Sequence, residues 1–159
     1  MDTDLSLKTI NVSYTDKTEN NFAVELFKYL RKKCKIKVET EYFSSVDITI
    51  TDKHNENNKV YVELKCRNDA YKNFPSFFIG YKKLLNIRDK KLTPTILVWK
   101  FKNCLYYCEY KEQFCYLKTK IIQNSSVVDI DKNICSCGIE ELVIDIQLLL
   151  EKEKQKVNP

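Results

Sequence analysis

At 159 residues, 43% of them hydrophobic and 12% aromatic, the chain is long enough to bury a core without disulfides or metal staples, and one domain over 1–159 is expected. Its 2 glycines and 3 prolines exclude a collagen-like or linker-rich chain. The net charge of +5, from 27 basic and 22 acidic residues, suits a polyanionic partner but is also reached by ordinary domains.

The start, Met1–Thr9, is polar and acidic, so no signal peptide is expected there. The longest apolar runs fall far short of a membrane span. Together these predict a soluble intracellular protein, of cytoplasm or nucleus, with no membrane partner. Met1–Asn20 reads as a polar arm or short strand around Ile10–Val12. Asn20 or Asn21 can cap a helix running to about Lys33, with Phe22, Ala23, Leu26, Phe27, Tyr29 and Leu30 on one apolar stripe. Glu25 stands at the edge of that stripe. Lys35–Glu41 alternates as a first strand.

Ser45–Thr51 alternates as a second strand, with Val46, Ile48 and Ile50 inward and Asp47, Thr49 and Thr51 outward. Asp52–Lys59 is a polar, turn-rich stretch. Val60–Arg67 then puts Val60, Val62, Leu64 and Cys66 on one face and Tyr61, Glu63, Lys65 and Arg67 on the other. A hairpin closed between these runs pairs residues whose numbers sum to about 110 to 112, by reflection in an antiparallel ladder. Asp47 then lies across from Glu63 or Lys65 on the same face. Two carboxylates and an ammonium come within one cross-strand spacing.

Pro75 marks the start of a second helix, whose apolar face is Phe77, Phe78, Tyr81, Leu84 and Leu85. Lys82 borders that face and Lys83 lies outside it. Thr95–Trp99 is a near-continuous apolar run, as in a strand buried on both sides. A turn at Lys102-Asn103 leads to its hairpin partner Leu105–Tyr110, and Phe114–Ile122 can add a further strand. Ile139–Lys154 closes the chain as a helix, with Ile139, Leu142, Val143, Ile146, Leu149 and Leu150 on a stripe that suits either a core or a homodimer interface.

Asp47 followed by Glu63-Leu64-Lys65, on adjacent strands, resembles the PD-(D/E)xK nuclease superfamily over roughly Phe22 to Phe101. Val46 stands where the family name has proline. The resemblance implies an α/β, restriction-endonuclease-like fold: a mixed sheet flanked by helices, with an αβββαβ core, here extended by a hairpin and a C-terminal helix. It also implies a metal-dependent endonuclease acting on DNA, with Mg2+ or Mn2+ held by Asp47, Glu63 and the Leu64 backbone carbonyl. Lys65 would then orient or deprotonate the attacking water, or stabilise transition-state charge.

By the same resemblance Glu25 is a candidate to help hold the metal, and Lys82 to meet the scissile phosphate; a solvated glutamate and a solvated lysine are the alternatives. The compact size and the spacing from Glu25 through Asp47 to Lys65 resemble the Holliday-junction-resolvase branch. The chain departs from that branch at Glu39–Ser45, where those resolvases carry a glycine- and serine-rich stretch and an arginine. Repair, replication and restriction roles stay open beside junction resolution, and cutting a junction would require a homodimer.

Other readings of the residues compete. Asp47 and Lys65 alone could form a cross-strand ion pair of little worth at an exposed face. The fold could also serve a non-catalytic nucleic-acid-binding or assembly protein. Cys104, Cys108, Cys115, Cys135 and Cys137 fit no common zinc-knuckle spacing and are expected as free, mostly buried thiols. His54, in a polar loop without a visible partner, offers no support for histidine chemistry. Tyrosines interleaved with basic residues at Tyr71-Lys72 and Tyr81-Lys82-Lys83, with Arg88–Lys91 beyond, could track a nucleic-acid backbone or form a solvated surface.

Overall fold

Alternating β-branched and aromatic residues in the middle of the chain build two sheets, and apolar stripes near its ends build the helices that cover one of them. The computed structural model describes residues 17–30, 34–38, 46–67 and 70–157. The elements are helix α1 (Lys17–Tyr29), strands β1 (Cys34–Val38), β2 (Ile48–Asp52), β3 (Lys59–Cys66) and β4 (Ser76–Gly80), and helix α2 (Tyr81–Asp89). Strands β5 (Thr95–Lys100), β6 (Leu105–Glu109), β7 (Thr119–Ile122), β8 (Ser125–Asp131) and β9 (Ser136–Cys137) follow, then helix α3 (Ile139–Val157).

A six-stranded sheet has the order β1-β2-β3-β5-β6-β9, and a three-stranded sheet the order β4-β8-β7. In the large sheet only β3 and β5 run parallel. Such a pair needs a crossover, which here contains β4 and α2. The result is the mixed sheet flanked by helices expected from the sequence, in the order α1, β1 to β3, α2 and β5, with β4 added ahead of α2. The β2–β3 register pairs Ile48 with Val62 and Thr49 with Tyr61, a sum of 110 in each case, within the range expected from the sequence.

Two cores lie on opposite faces of the large sheet. Phe22, Ala23 and Leu26 of α1 and Leu142, Val143, Ile146 and Leu150 of α3 pack with Ile48, Ile50, Val60, Val62 and Val98 in one. Phe77 and Ile79 of β4, Val128 and Ile130 of β8, and Leu84 and Ile87 of α2 pack on Leu97, Trp99 and Cys108 in the other. Strand β5 feeds both, which explains its unbroken apolar run. The α3 stripe is therefore core within the chain, and it leaves Ile144 and Leu148 exposed.

Several sequence expectations need correction. The second helix begins at Tyr81, and Ser76–Gly80 before it is a strand. Phe77 and Ile79 fit a period of two as well as a helical face. What decides is β8, whose Val128 and Ile130 stand opposite Ile79 and Phe77. Asn20 and Asn21 lie inside α1, since Lys17–Glu19 ahead of them contain no helix breaker. Phe114 belongs to a short 3-10 helix, Glu112–Tyr116, before β7 begins. Strand β8 follows β7 through Gln123 and Asn124, both left-handed (φ 49° and 64°), the pattern of a two-residue type I′ hairpin. Val46 packs in the second core, across the sheet from Ile48 and Ile50, because the chain bends at Val46-Asp47 before β2 starts. The expected segments at residues 1–16, 31–33 and 39–45 lie outside the described residues.

Leu97 is 0% exposed, so Leu97→Ala should cost about 2–5 kcal/mol in denaturant unfolding. Ile121→Ala on β7, where the side chain is 68% exposed, should change stability by no more than about 0.5 kcal/mol.

Candidate active site

The alternation of β3 carries the site. Val60, Val62 and Leu64 fill the first core, so Tyr61, Glu63 and Lys65 face the second. That face is closed by the layer containing β4 and α2, which leaves Glu63 1% exposed, well below the open polar face expected from alternation alone. Asp47 arrives from the bend ahead of β2. Its backbone N–H donates to the Val62 carbonyl at 3.0 Å, and its Oδ2 accepts from the Leu64 N–H at 2.7 Å. The aspartate is thus clamped onto the backbone of the strand that carries Glu63 and Lys65.

Two ammonium groups approach Glu63 from different elements. Lys65 Nζ lies 3.8 Å from Oε2 and Lys83 Nζ 3.6 Å from Oε1, with both lysine side chains about one-third exposed. These are ion-pair distances beyond hydrogen-bond range. Glu63 Oε1 is accordingly a buried oxygen with no hydrogen-bond partner. Burial, and then the Asp47 charge, push the Glu63 carboxyl up to about 8, against the opposing pull of Lys83 and Lys65.

Asp47, Glu63 and Lys65 therefore converge, together with Lys83. Lys82 is exposed on α2. Glu25 is also exposed, in a surface groove with Asn21, Val24, Lys28 and Tyr29, and it is not among the groups that act on Glu63. Sequence periodicity missed Lys83 because it started the helix too early. With the start at Tyr81, Lys83 falls one turn before buried Ile87, at i and i+4.

The donor set fits a hard divalent cation. Two carboxylates abut, one with an orphaned oxygen, and Mg2+ characteristically takes only one or two protein carboxylates and keeps several waters. Among the described residues no group of three His, Cys, Asp or Glu side chains stands together as a fuller ligand set. None of the seven cysteines is in a disulfide; Cys108 and Cys115 lie in the second core, with Cys104 and Cys135 packed against it. His54 is an exposed loop residue whose backbone N–H donates to Asp52 Oδ1 at 2.9 Å. Among the described residues no helix is long and apolar enough to cross a membrane.

No family model matches the chain, and no curated protein matches it by sequence. Among solved structures it is similar in fold to Hjc, a Holliday junction resolvase from Archaeoglobus fulgidus. The identity is 14% and the TM-score 0.46, over 77% of this chain and 96% of that one.

The raised Glu63 carboxyl gives a pH signature. Below about pH 4.5 the group is protonated in both folded and unfolded chains. Between there and about 8 the folded protein keeps a proton that the unfolded chain releases, so stability falls as pH rises and levels off above. In chelator-treated protein the melting temperature should follow this trend, and Glu63→Gln should flatten it and be the more stable protein at pH 8. Parallel pH curves for the two proteins would contradict the assignment.

Proposed function

We propose that this chain is a metal-dependent endonuclease that hydrolyses phosphodiester bonds of DNA. The observation that carries the reading is the convergence of Asp47, buried Glu63 and the Lys65 and Lys83 ammonium groups on one sheet face. Two carboxylates beside two cations are what hydrolysis of an anionic diester needs: one pair to hold a cation, the other to meet the phosphate.

In this reading Asp47 and Glu63 hold Mg2+ or Mn2+, with the Leu64 carbonyl as a third protein ligand. When bound, such a cation neutralises developing charge on the phosphate and lowers the pKa of its water. Lys65, on the strand itself, would orient the attacking water and stabilise charge on the non-bridging oxygens. Lys83 holds Glu63 from the helix side and takes the phosphate-facing role expected of Lys82. Glu25 enters only as an outer residue that a bound nucleic acid could bring closer. Branched DNA, including four-way junctions, is one substrate class among repair, recombination, replication and restriction substrates; symmetric cutting of a junction would need a homodimer.

The second reading, a binding or assembly protein that keeps the fold, draws on the exposed position of Glu25, which leaves two carboxylates at the site. Incubation with linear, nicked, flapped and four-way DNA in Mn2+ separates the two. In the substrate that is cut, Asp47→Asn, Glu63→Gln and Lys65→Ala should each lose at least about a hundredfold in rate. Metal-free DNA binding should diverge by charge. Asp47→Asn binds as well or better because a repulsion is removed, Glu63→Gln binds about equally because the carboxyl is already protonated, and Lys65→Ala binds more weakly. Wild-type protein inert toward every DNA and RNA substrate in both Mg2+ and Mn2+ would leave the binding reading.

A further inference from the structure

Beyond Lys65, the same face of β3 runs into an aromatic pocket. The Arg67 backbone N–H donates to the Lys100 carbonyl at 2.7 Å, continuing the β3–β5 ladder past the end of the strand. Alternation therefore keeps Arg67 on the side of Glu63 and Lys65, about 7 Å beyond Lys65. There Arg67 joins Phe74, Phe77, Phe78, Trp99 and Phe101 around a cavity of about 190 Å³. The floor is fixed: Phe77 stacks on Trp99 with centroids 5.2 Å apart, and the Trp99 indole N–H donates to the Phe78 carbonyl at 3.1 Å. The rim is open, with Phe74 42% and Phe78 37% exposed. The Arg67 guanidinium lies over the Phe78 ring at 4.8 Å from its centroid.

We propose that this pocket receives one unpaired nucleobase of the nucleic acid whose phosphate lies at Glu63 and Lys65, with Phe74 and Phe78 as stacking walls and Arg67 bridging base and backbone. The inference rests on the nuclease reading and narrows its substrates. Three features choose this occupant. The cavity is smaller than the roughly 300 Å³ at which drug-sized ligand sites begin, so it suits a single flat ring system. Its lining carries one cation and one hydroxyl, Ser76, and no carboxylate, which matches an aromatic ring tethered to a phosphate. It also continues the face that carries the site, so one strand of nucleic acid can reach both.

Aromatic walls stack any base, so the pocket senses whether a base is unpaired and not which base it is. A paired base is held in its stack and must first be flipped out, which disfavours intact duplex. The preferred substrates are then those with an unpaired nucleotide beside the cut: flaps, bubbles and branch points.

The test is fluorescence anisotropy of full-length protein in chelator, with flapped DNA in which a single abasic nucleotide is walked through the unpaired arm. One abasic position should weaken wild-type binding about tenfold while its neighbours do not. Phe78→Ala and Phe74→Ala, both at exposed rings, should weaken binding to intact DNA to a similar extent and erase the abasic effect. Arg67→Lys, which keeps the charge but loses the planar stack, should lose most of the same discrimination. A flat abasic profile, or variants that bind like wild type, would overturn the pocket even if the protein cleaves DNA. A position-specific abasic effect in a protein inert with Mg2+ and Mn2+ would keep the pocket and discard the nuclease.

Discussion

A carboxyl group buried to 1% exposure with one oxygen lacking a hydrogen bond is the constraint on which this structure turns. Leaving a polar atom in such surroundings costs about 1–3 kcal/mol, and more if the group is charged. The fold offsets that cost only in part, with two ammonium groups at ion-pair distance and a carboxyl held largely protonated. A chain selected for stability alone would gain from an apolar residue of similar volume at this position. In the proposed site a hard cation would take up that free oxygen.

The layers explain how the site is held. Strand β3 sends one row of side chains into the helix-covered core, and the opposite row both packs Tyr61 and presents Glu63 and Lys65. Asp47 is positioned through the backbone, because its carboxylate oxygen caps the Leu64 N–H. Lys83 depends on the crossover, since α2 starts directly after β4 and β4 is fixed by β8. The small sheet is thus structurally upstream of the site, through β4 and the helix that follows it. It also supplies Phe77 and Phe78 to the aromatic pocket.

What the sequence revealed follows from the range of the interactions. The β2–β3 hairpin was legible because register, alternation and the turn lie within about two dozen residues, and one face had to be apolar. The buried run Thr95–Trp99 was legible from its composition, and α3 from its stripe. Ser76–Gly80 was not. Its partner β8 lies some fifty residues further on, and no local signal separates a strand containing Phe77 and Ile79 from the first turn of a helix. That misplacement moved the helix start and so chose Lys82 over Lys83. The depth of Glu63 was hidden for the same reason, because alternation says which way a side chain points and not what covers it. The bend at Val46-Asp47, which releases Asp47 from strict alternation and sends Val46 to the second core, has no mark in the sequence.

Whether Asp47 and Glu63 form the proposed divalent-cation site is measured by calorimetric titration of chelator-treated protein with Mn2+. One saturable Mn2+ per chain is expected, lost in Asp47→Asn and Glu63→Gln. Binding should be retained or strengthened in Lys83→Ala, because the Lys83 ammonium competes for the same Glu63 oxygen. Wild-type protein that takes up no Mn2+, or Asp47→Asn and Glu63→Gln proteins that bind it equally well, would contradict that site.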